Sequence, residues 1–391
     1  MTPIYFFGTL RDADLLAVVI GRPIGAGDVV TAHAPGREAR LARGHAYPVL
    51  CDAPGRAAEG VVFHPASADE VEAIAYYEEA EYDLVAIEVE TEDGPVAARH
   101  FAATAKIGAS ETPFDLAAWQ ARAKTVAIEA ARELMPLRAH LPAERMDAVA
   151  WPGIMNRARQ RARAMAETPV LAGIRHDFSR ERDVEWVAHE RPLVEYLAVE
   201  RHTVRHRLFS GGMSAPVHRH TAAWGDAVTV LPWDPRLDRV VLIEQFRPGA
   251  AARMDPNPWC VEVPAGRIDA DEDAETAIRR EAEEETGLTL GRVERYPGYY
   301  PTPGLSTEHL GAFVGEADLS GGGEALQGAA GEGEDIRAFT LSTDEAVAAM
   351  RAGAVNTGPA QILLLWLALD RGRLAALWQG RGDGPGEALR R

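Results

Sequence analysis

The stretch that most limits what this chain can become is PAGRIDADEDAETAIRREAEEETGL, residues 264–288. It opens on a tight PAG turn and closes on Gly287, a residue suited to ending a helix in the left-handed conformation. Between them the spacing predicts a helix over 272–286. On it Ala274, Ile278 and Ala282 recur every four residues, a narrow stripe of small side chains that can pack closely on a sheet. Glu281, Glu284 and Glu285 stand three and four apart on another face. Like charges at that spacing repel, and near a helix C-terminus the macrodipole disfavours anions as well. The bland reading is a solvated acidic face. The alternative is a set of oxygen ligands for a hard divalent cation such as Mg²⁺ or Mn²⁺, which turns the repulsion into attraction.

The rest of the chain is read around this element. The first 105 or so residues alternate short apolar runs with turn signals (IYFFGTL, EGVVFHP, YDLVAIEVET, VAARHFAAT) and suggest a small mixed or barrel-like β domain. At ETPFDLAAWQARAKTVAIEAARELM the apolar spacing turns helical, with Thr112 as the expected cap, Pro113 in the first turn and Asp115 completing a capping-box-like pattern. Residues 136–185 are rich in Ala and Arg and broken by prolines. They read as a helical tail and linker, in which NRARQRARAMAE is an amphipathic connecting helix with a solvated basic face. From about 186 strands return, AVTVLPWD and RVVLIEQFR among them, and PAQILLLWLALDRGRL forms a last helix. Strands flanking at least two helices suggest a mixed α/β sandwich, and SGGGEALQGAAGEGED (320–335) reads as a mobile loop.

Composition excludes some functions. A formal charge of −18 argues against binding a nucleic-acid backbone. The longest apolar run, ILLLWLAL at 362–369, is far short of the roughly 20 residues a bilayer needs. Only Cys51 and Cys260 are present, neither in a CxxC pattern, and no secretory signal is visible, so the expected setting is the cytoplasm.

The register of the opening stretch resembles the Nudix box: Gly266, Glu272, Arg280, Glu281, Ala282, Glu284, Glu285, Gly287 and Leu288 stand at its successive positions. The likeness extends over roughly 190–375 and is closest to the ADP-ribose pyrophosphatases, on RLFSGGMS, GDAVTVLPWDP, VVLIEQFRPGA, WCVEVPAG, YYPTPGLSTE and GEGEDI. It implies an α/β/α sandwich with a mixed sheet and Mg²⁺-dependent (or Mn²⁺-dependent) hydrolysis of ADP-ribose or a related nucleoside diphosphate sugar. The implied metal ligands are the carbonyl of Ala265 with Glu281 and Glu285, helped by Glu284. Glu334 is a further metal-facing carboxylate, Glu332 the candidate general base, and Arg280 and Glu272 pair structurally. Arg247 is the best candidate for a diphosphate contact, and Thr302, Pro303, Gly304 and Glu308 shape the ribose end. Trp224 and His220 depart from the family pattern. A homodimer through the Nudix domain is implied as well.

FFGTLRD, AYPVLCDAPGRAAEGVVF and YYEEAEYDLVAIEVE resemble the γ-glutamylcyclotransferase-like (AIG2-like) family. That likeness implies a substrate-binding turn at Phe7, Gly8, Thr9 and Leu10, and Glu78 as the acid/base in releasing 5-oxoproline. Tyr76 and Tyr77 are expected to supply the apolar surroundings that raise its pKa. Phe7, Ala75 and Glu79 depart from the pattern, so an active cyclotransferase and a retained binding module both stay open. The fusion also resembles proteins labelled as tellurite-resistance type. The expected division is 1–125 cyclotransferase-like, 126–185 tail and linker, and 186–391 Nudix. The rivals are a cyclotransferase as the main activity and a non-catalytic ADP-ribose sensor.

Overall fold

The computed structural model describes residues 1–78, 82–104, 107–139, 141–142, 150–164, 174, 176–269, 272–328 and 334–379. The chain divides into two compact units, Met1–Asp183 with Leu193–Ala198, and Val184–Pro192 with Val199–Arg391.

In the first unit, β1 (Ile4–Phe6), β2 (Val29–Ala42), β3 (Pro48–Phe63), β4 (Tyr82–Thr91) and β5 (Gly94–Ala103) pair in the order β3-β1-β5-β4-β2, and a β2–β3 pairing closes the ring. The result is a closed five-stranded barrel, with β6 (Ala109–Pro113) added beside β2. Closure leaves those five strands without a free edge. Close packing is visible at Gly60, where a Cβ would meet the Tyr5 ring at 2.3 Å. The barrel-like expectation therefore holds. The expected helix start does not: Thr112 lies in β6, and the helix Leu116–Arg122 is capped by Asp115, whose carboxylate accepts from the Ala118 N–H at 3.0 Å.

The expected solvated basic helix is corrected too. Helix Trp151–Ala164 packs on helix Lys124–Leu134 through Ala130, Leu134, Ile154 and Ala158. Arg157 is fully buried, and its Nε donates to Glu133 Oε1 at 2.7 Å. Burial was invisible in the Ala/Arg composition because the partner carboxylate comes from another helix.

The strands β7 (Val184–Val194), β8 (Ala198–His206) and β9 (Val217–Ala223), which lie mostly in the second unit, make a three-stranded sheet. A larger mixed sheet runs β14 (Val293–Tyr299), β15 (Leu310–Glu316), β10 (Ala227–Asp234), β11 (Arg239–Phe246), β17 (Ile336–Ser342) and β16 (Ala325–Gln327). Two short strands join it, β12 (Trp259–Glu262) on β11 and β13 (Ala265–Arg267) on β10. The β10–β15 pair is parallel and β10–β11 antiparallel. Every residue of β10 is buried, which is why AVTVLPWD lacks the alternation of a half-exposed strand. Val228 and Val230 meet Ile278 and Ala282 of helix Ala274–Thr286 on one face. Leu231 and Trp233 meet Leu363, Leu364 and Leu367 of helix Gly358–Gln379 on the other. This is the expected α/β/α sandwich. The 320–335 stretch is not wholly loop, since Ala325–Gln327 pairs with β17. Among the described residues no helix is long and apolar enough to cross a membrane.

Candidate active site

The helix that opened the sequence reading begins at Ala274, where Asp273 caps it by accepting from the Thr276 N–H at 2.8 Å. It ends at Gly287 in the left-handed conformation, φ 71°. With Ala277, Ile278 and Ala282 buried against the sheet, the helix turns Glu281 and Glu285 toward the PAG turn. Glu285 is 3% exposed, and its Oε2 accepts from the Ala265 N–H at 2.9 Å. Gly266 is required by close approach: a Cβ there would lie 1.8 Å from Glu281 Oε1. The Ala265 N–H rather than its carbonyl is thus what touches Glu285.

Arg280 organises the other side. It donates to both oxygens of Glu272 (2.7 and 3.3 Å) and to the Arg267 carbonyl at 3.0 Å, tying the loop to the helix as expected. It also reaches Glu281 Oε1 at 2.7 Å and Glu284 Oε2 at 3.0 Å. The carboxylate face is therefore less self-repelling than its spacing suggested. Glu283 is exposed.

Arg247 follows β11, and its guanidinium is held by Glu262 on β12, with Nη2 2.6 Å from Glu262 Oε2. Gln245 donates to the same oxygen at 3.2 Å. Glu262 lies within WCVEVPAG, where nothing local to the sequence marks it for a role. Only the β11–β12 pairing brings it to Arg247.

Glu334 is exposed, and its charge acts on both Glu281 and Glu285. Glu332 lies outside the described residues. Thr302, Pro303 and Gly304 are exposed on a turn in which the Thr302 carbonyl accepts from the Leu305 and Ser306 N–H groups. Glu308 is half-buried and accepts from the Trp224 indole at 3.2 Å, so that departure from the family pattern gives Glu308 its partner.

Burial pushes the Glu281 carboxyl up to about 6, against the neighbouring Arg280 and with Glu284 and Glu334 adding to the rise. Burial likewise pushes Glu285 up to about 8, aided by Glu281 and Glu334. These buried oxygens beside one another are the donor chemistry of a hard divalent cation. Among the described residues Glu281 and Glu285 fit such a role. Glu281, Glu284, Glu285 and Glu334 do not bring three oxygens within 4.8 Å of one another, and Glu284 is turned to Arg280.

A pH dependence follows. Between the ordinary carboxylate value of 4.5 and about 8 the folded protein holds more protons on this pair than the unfolded chain does. The pair's contribution to stability is thus present at low pH and lost as pH rises through 6 to 8. In chelator, Tm should fall from about pH 5 to about pH 8 more steeply for the parent than for the Glu281→Gln, Glu285→Gln double variant. Added Mg²⁺ should flatten the parent's profile. Identical slopes in the two proteins would contradict the assignment of these carboxylates.

In the first unit the Gly8–Leu10 turn and Glu78 come together around a cavity of about 340 Å³. Phe7, Tyr47, Tyr77, Tyr82, Phe101 and Trp151 line it as well. Glu78 ends helix Ala68–Glu78 and is partly buried, and desolvation pushes its carboxyl up to about 7. Of the two expected neighbours, Tyr77 lines the cavity, whereas Tyr76 does not and is buried in a cluster with Leu134 and Ile154 against which Tyr77 also packs.

Residues 223–360 match the model of the NUDIX domain, and residues 4–121 that of gamma-glutamyl cyclotransferase, AIG2-like. The ADP-ribose pyrophosphatase of Escherichia coli (strain K12) is 36% identical over 198 residues, 51% of this chain and 94% of that protein. The ADP-ribose pyrophosphatase of Haemophilus influenzae is 32% identical over 211 residues, 54% of this chain and 96% of its own length. The GDP-mannose pyrophosphatase of Citrobacter koseri is 34% identical over 143 residues, 37% of this chain and 73% of that protein.

Proposed function

This chain belongs to the Nudix family, and on that footing we propose that it hydrolyses the pyrophosphate of ADP-ribose, or of a related nucleoside diphosphate sugar, to a nucleoside monophosphate and a sugar phosphate. It is a Nudix pyrophosphohydrolase acting on nucleoside diphosphate sugars, with a γ-glutamyl cyclotransferase-like domain ahead of it. The observation that carries the narrower reading is the juxtaposition of the Glu281–Glu285 face with Arg247 beside the PAG turn.

A divalent metal serves the family. Mg²⁺ or Mn²⁺ is the proposed ion here, and when bound it lowers the pKa of water and offsets charge on the diphosphate. Glu281 and Glu285 would hold it, joined by Glu284 once released from Arg280, by Glu334 and by the Ala265 carbonyl. Arg280 keeps the loop against the helix through Glu272. Arg247, held by Glu262 with its planar fork part exposed, would take diphosphate oxygens. Glu332 would accept the proton of the attacking water. Thr302, Pro303, Gly304 and Glu308 would border the sugar, Glu308 oriented by Trp224. The homodimer, the cytoplasmic setting and the division at residues 125 and 185 belong to the same reading. The tellurite-resistance likeness finds no support in the site or in the relatives.

The Glu78 cavity supports a second activity. Gly8, Thr9 and Leu10 would bind a γ-glutamyl group, and Glu78, poised near neutrality, would move the proton as the α-amine attacks the γ-amide. One experiment separates the activities. The purified chain with Mg²⁺ is given nucleoside diphosphate sugars and γ-glutamyl amides, and both product classes are quantified. ADP-ribose should yield AMP, with Glu78→Gln leaving that rate unchanged while abolishing any 5-oxoproline. No nucleotide product from any sugar nucleotide would refute the main reading. No 5-oxoproline from any amide would refute the second.

A further inference from the structure

The sheet β7–β8–β9 holds a cluster that the pyrophosphatase reading does not use. Five of the chain's twelve histidines (His189, His202, His206, His218 and His220) fall within 40 residues here. Glu200 and His202, two apart on β8, share one face. They are 5% and 7% exposed. His189 on β7 joins them, its Nε2 3.3 Å from Glu200 Oε1, while His202 Nε2 lies 3.6 Å from Glu200 Oε2. The two imidazoles face each other with centroids 4.8 Å apart. One ligand atom from each of the three residues lies within 4.8 Å of the other two.

Hydrogen bonding does not account for burying this ring. His202 Nε2 shares a hydrogen bond with Thr221 Oγ1 at 2.8 Å, but its Nδ1 is buried with no partner. An orphaned buried polar atom is costly and calls for an explanation. Two imidazoles and a carboxylate are the donor set of Zn²⁺ and its transition-metal neighbours, whereas Mg²⁺ prefers oxygen alone.

We propose that His189, Glu200 and His202 form a second metal site, for Zn²⁺ or a chemically similar transition-metal ion, distinct in residues and in donor chemistry from the carboxylate site on the acidic helix. His189 gives access, its side chain being 32% exposed. Arg191 is the competitor: its Nε lies 3.0 Å from Glu200 Oε1, so its guanidinium and an incoming cation contend for one carboxylate. Glu200 Oε2 lies on the His202 side, 3.6 Å from His202 Nε2. Trp186 is a built-in reporter, with its ring 5.1 Å from His202 and 6.1 Å from His189.

The test uses the full chain carrying Glu281→Gln and Glu285→Gln, stripped with chelator and titrated with Zn²⁺ by calorimetry and with Co²⁺ by visible absorption and tryptophan fluorescence. One equivalent of Zn²⁺ should bind. Co²⁺ should give the absorption of a low-coordinate nitrogen-and-oxygen site and quench fluorescence, and the quenching should be largely lost in Trp186→Phe. His189→Ala and His202→Ala should each weaken binding at least about tenfold, and Arg191→Met should tighten it. His189 is exposed enough for its variant to fold even where His202→Ala does not. Binding of Zn²⁺ that is undiminished in His189→Ala overturns the proposal, and so does failure of the parent to bind one equivalent.

Discussion

Replacing Glu285 by Gln is expected to lower kcat for a nucleoside diphosphate sugar by about 10²–10³-fold, the scale on which loss of one group stabilising transition-state charge is felt. The substitution keeps shape and removes the negative charge. The folded protein should tolerate it, because Glu285 is buried and already held well above the ordinary carboxylate value. Circular dichroism should therefore match the parent, and in chelator at neutral pH Tm should not fall below it, while turnover collapses. Glu283→Gln is the internal control. That carboxylate is exposed two residues away on the same helix, and its loss should change kcat by less than a factor of two or so, as for a surface site without partners. Gly266→Ala completes the series: the new methyl would displace the Glu281 carboxylate, a mobile side-chain end, so activity should fall with little change in stability. Equal kinetics for the Glu285 and Glu283 variants would remove the acidic helix from the reaction.

The largest effect on stability is expected in the first unit. Glu133→Ala should cost about 3–5 kcal/mol, because it leaves the fully buried Arg157 cation uncompensated. Arg157 Nε donates to Glu133 Oε1, and its Nη2 lies 2.6 Å from the same oxygen as an ion-pair contact outside hydrogen-bond geometry. Arg161 holds the other Glu133 oxygen at 2.6 Å. The double replacement Glu133→Leu, Arg157→Met, amid Ala130, Leu134, Ile154 and Ala158, should recover most of the loss, since apolar residues of similar volume remove both desolvation penalties at once. Urea midpoints followed by fluorescence of that unit would measure both. A cost under about 1 kcal/mol for Glu133→Ala would show that Arg157 reaches water.

Much of the fold and site could be read along the chain. The acidic helix, its Gly287 end and its Ala274–Ile278–Ala282 packing stripe rest on local spacing and local backbone preference, and the structure keeps them within two residues. The Arg280–Glu272 tie is also close in sequence. β10 and β11 stood out as apolar runs because both of their faces are covered. What went astray shares one cause. Thr112 followed by Pro113 looks like a cap, but pairing with β2 draws that segment into β6 and leaves Asp115 to start the helix. The basic helix looks solvated in the sequence because the counter-charge of Arg157, Glu133, lies 24 residues away.

By itself the sequence determined the acidic helix, the two apolar strands β10 and β11, and which carboxylates stand in register on one helix face. Those properties depend on covalent spacing and side-chain periodicity, which the linear order contains in full. Only the tertiary structure decided that Glu262 holds Arg247, that Trp224 holds Glu308, that Arg157 is buried, and that His189 meets Glu200 and His202. Each is a meeting of residues brought together by strand pairing or helix packing. Burial and approach, not residue type, decide whether a charge is solvated, paired or poised.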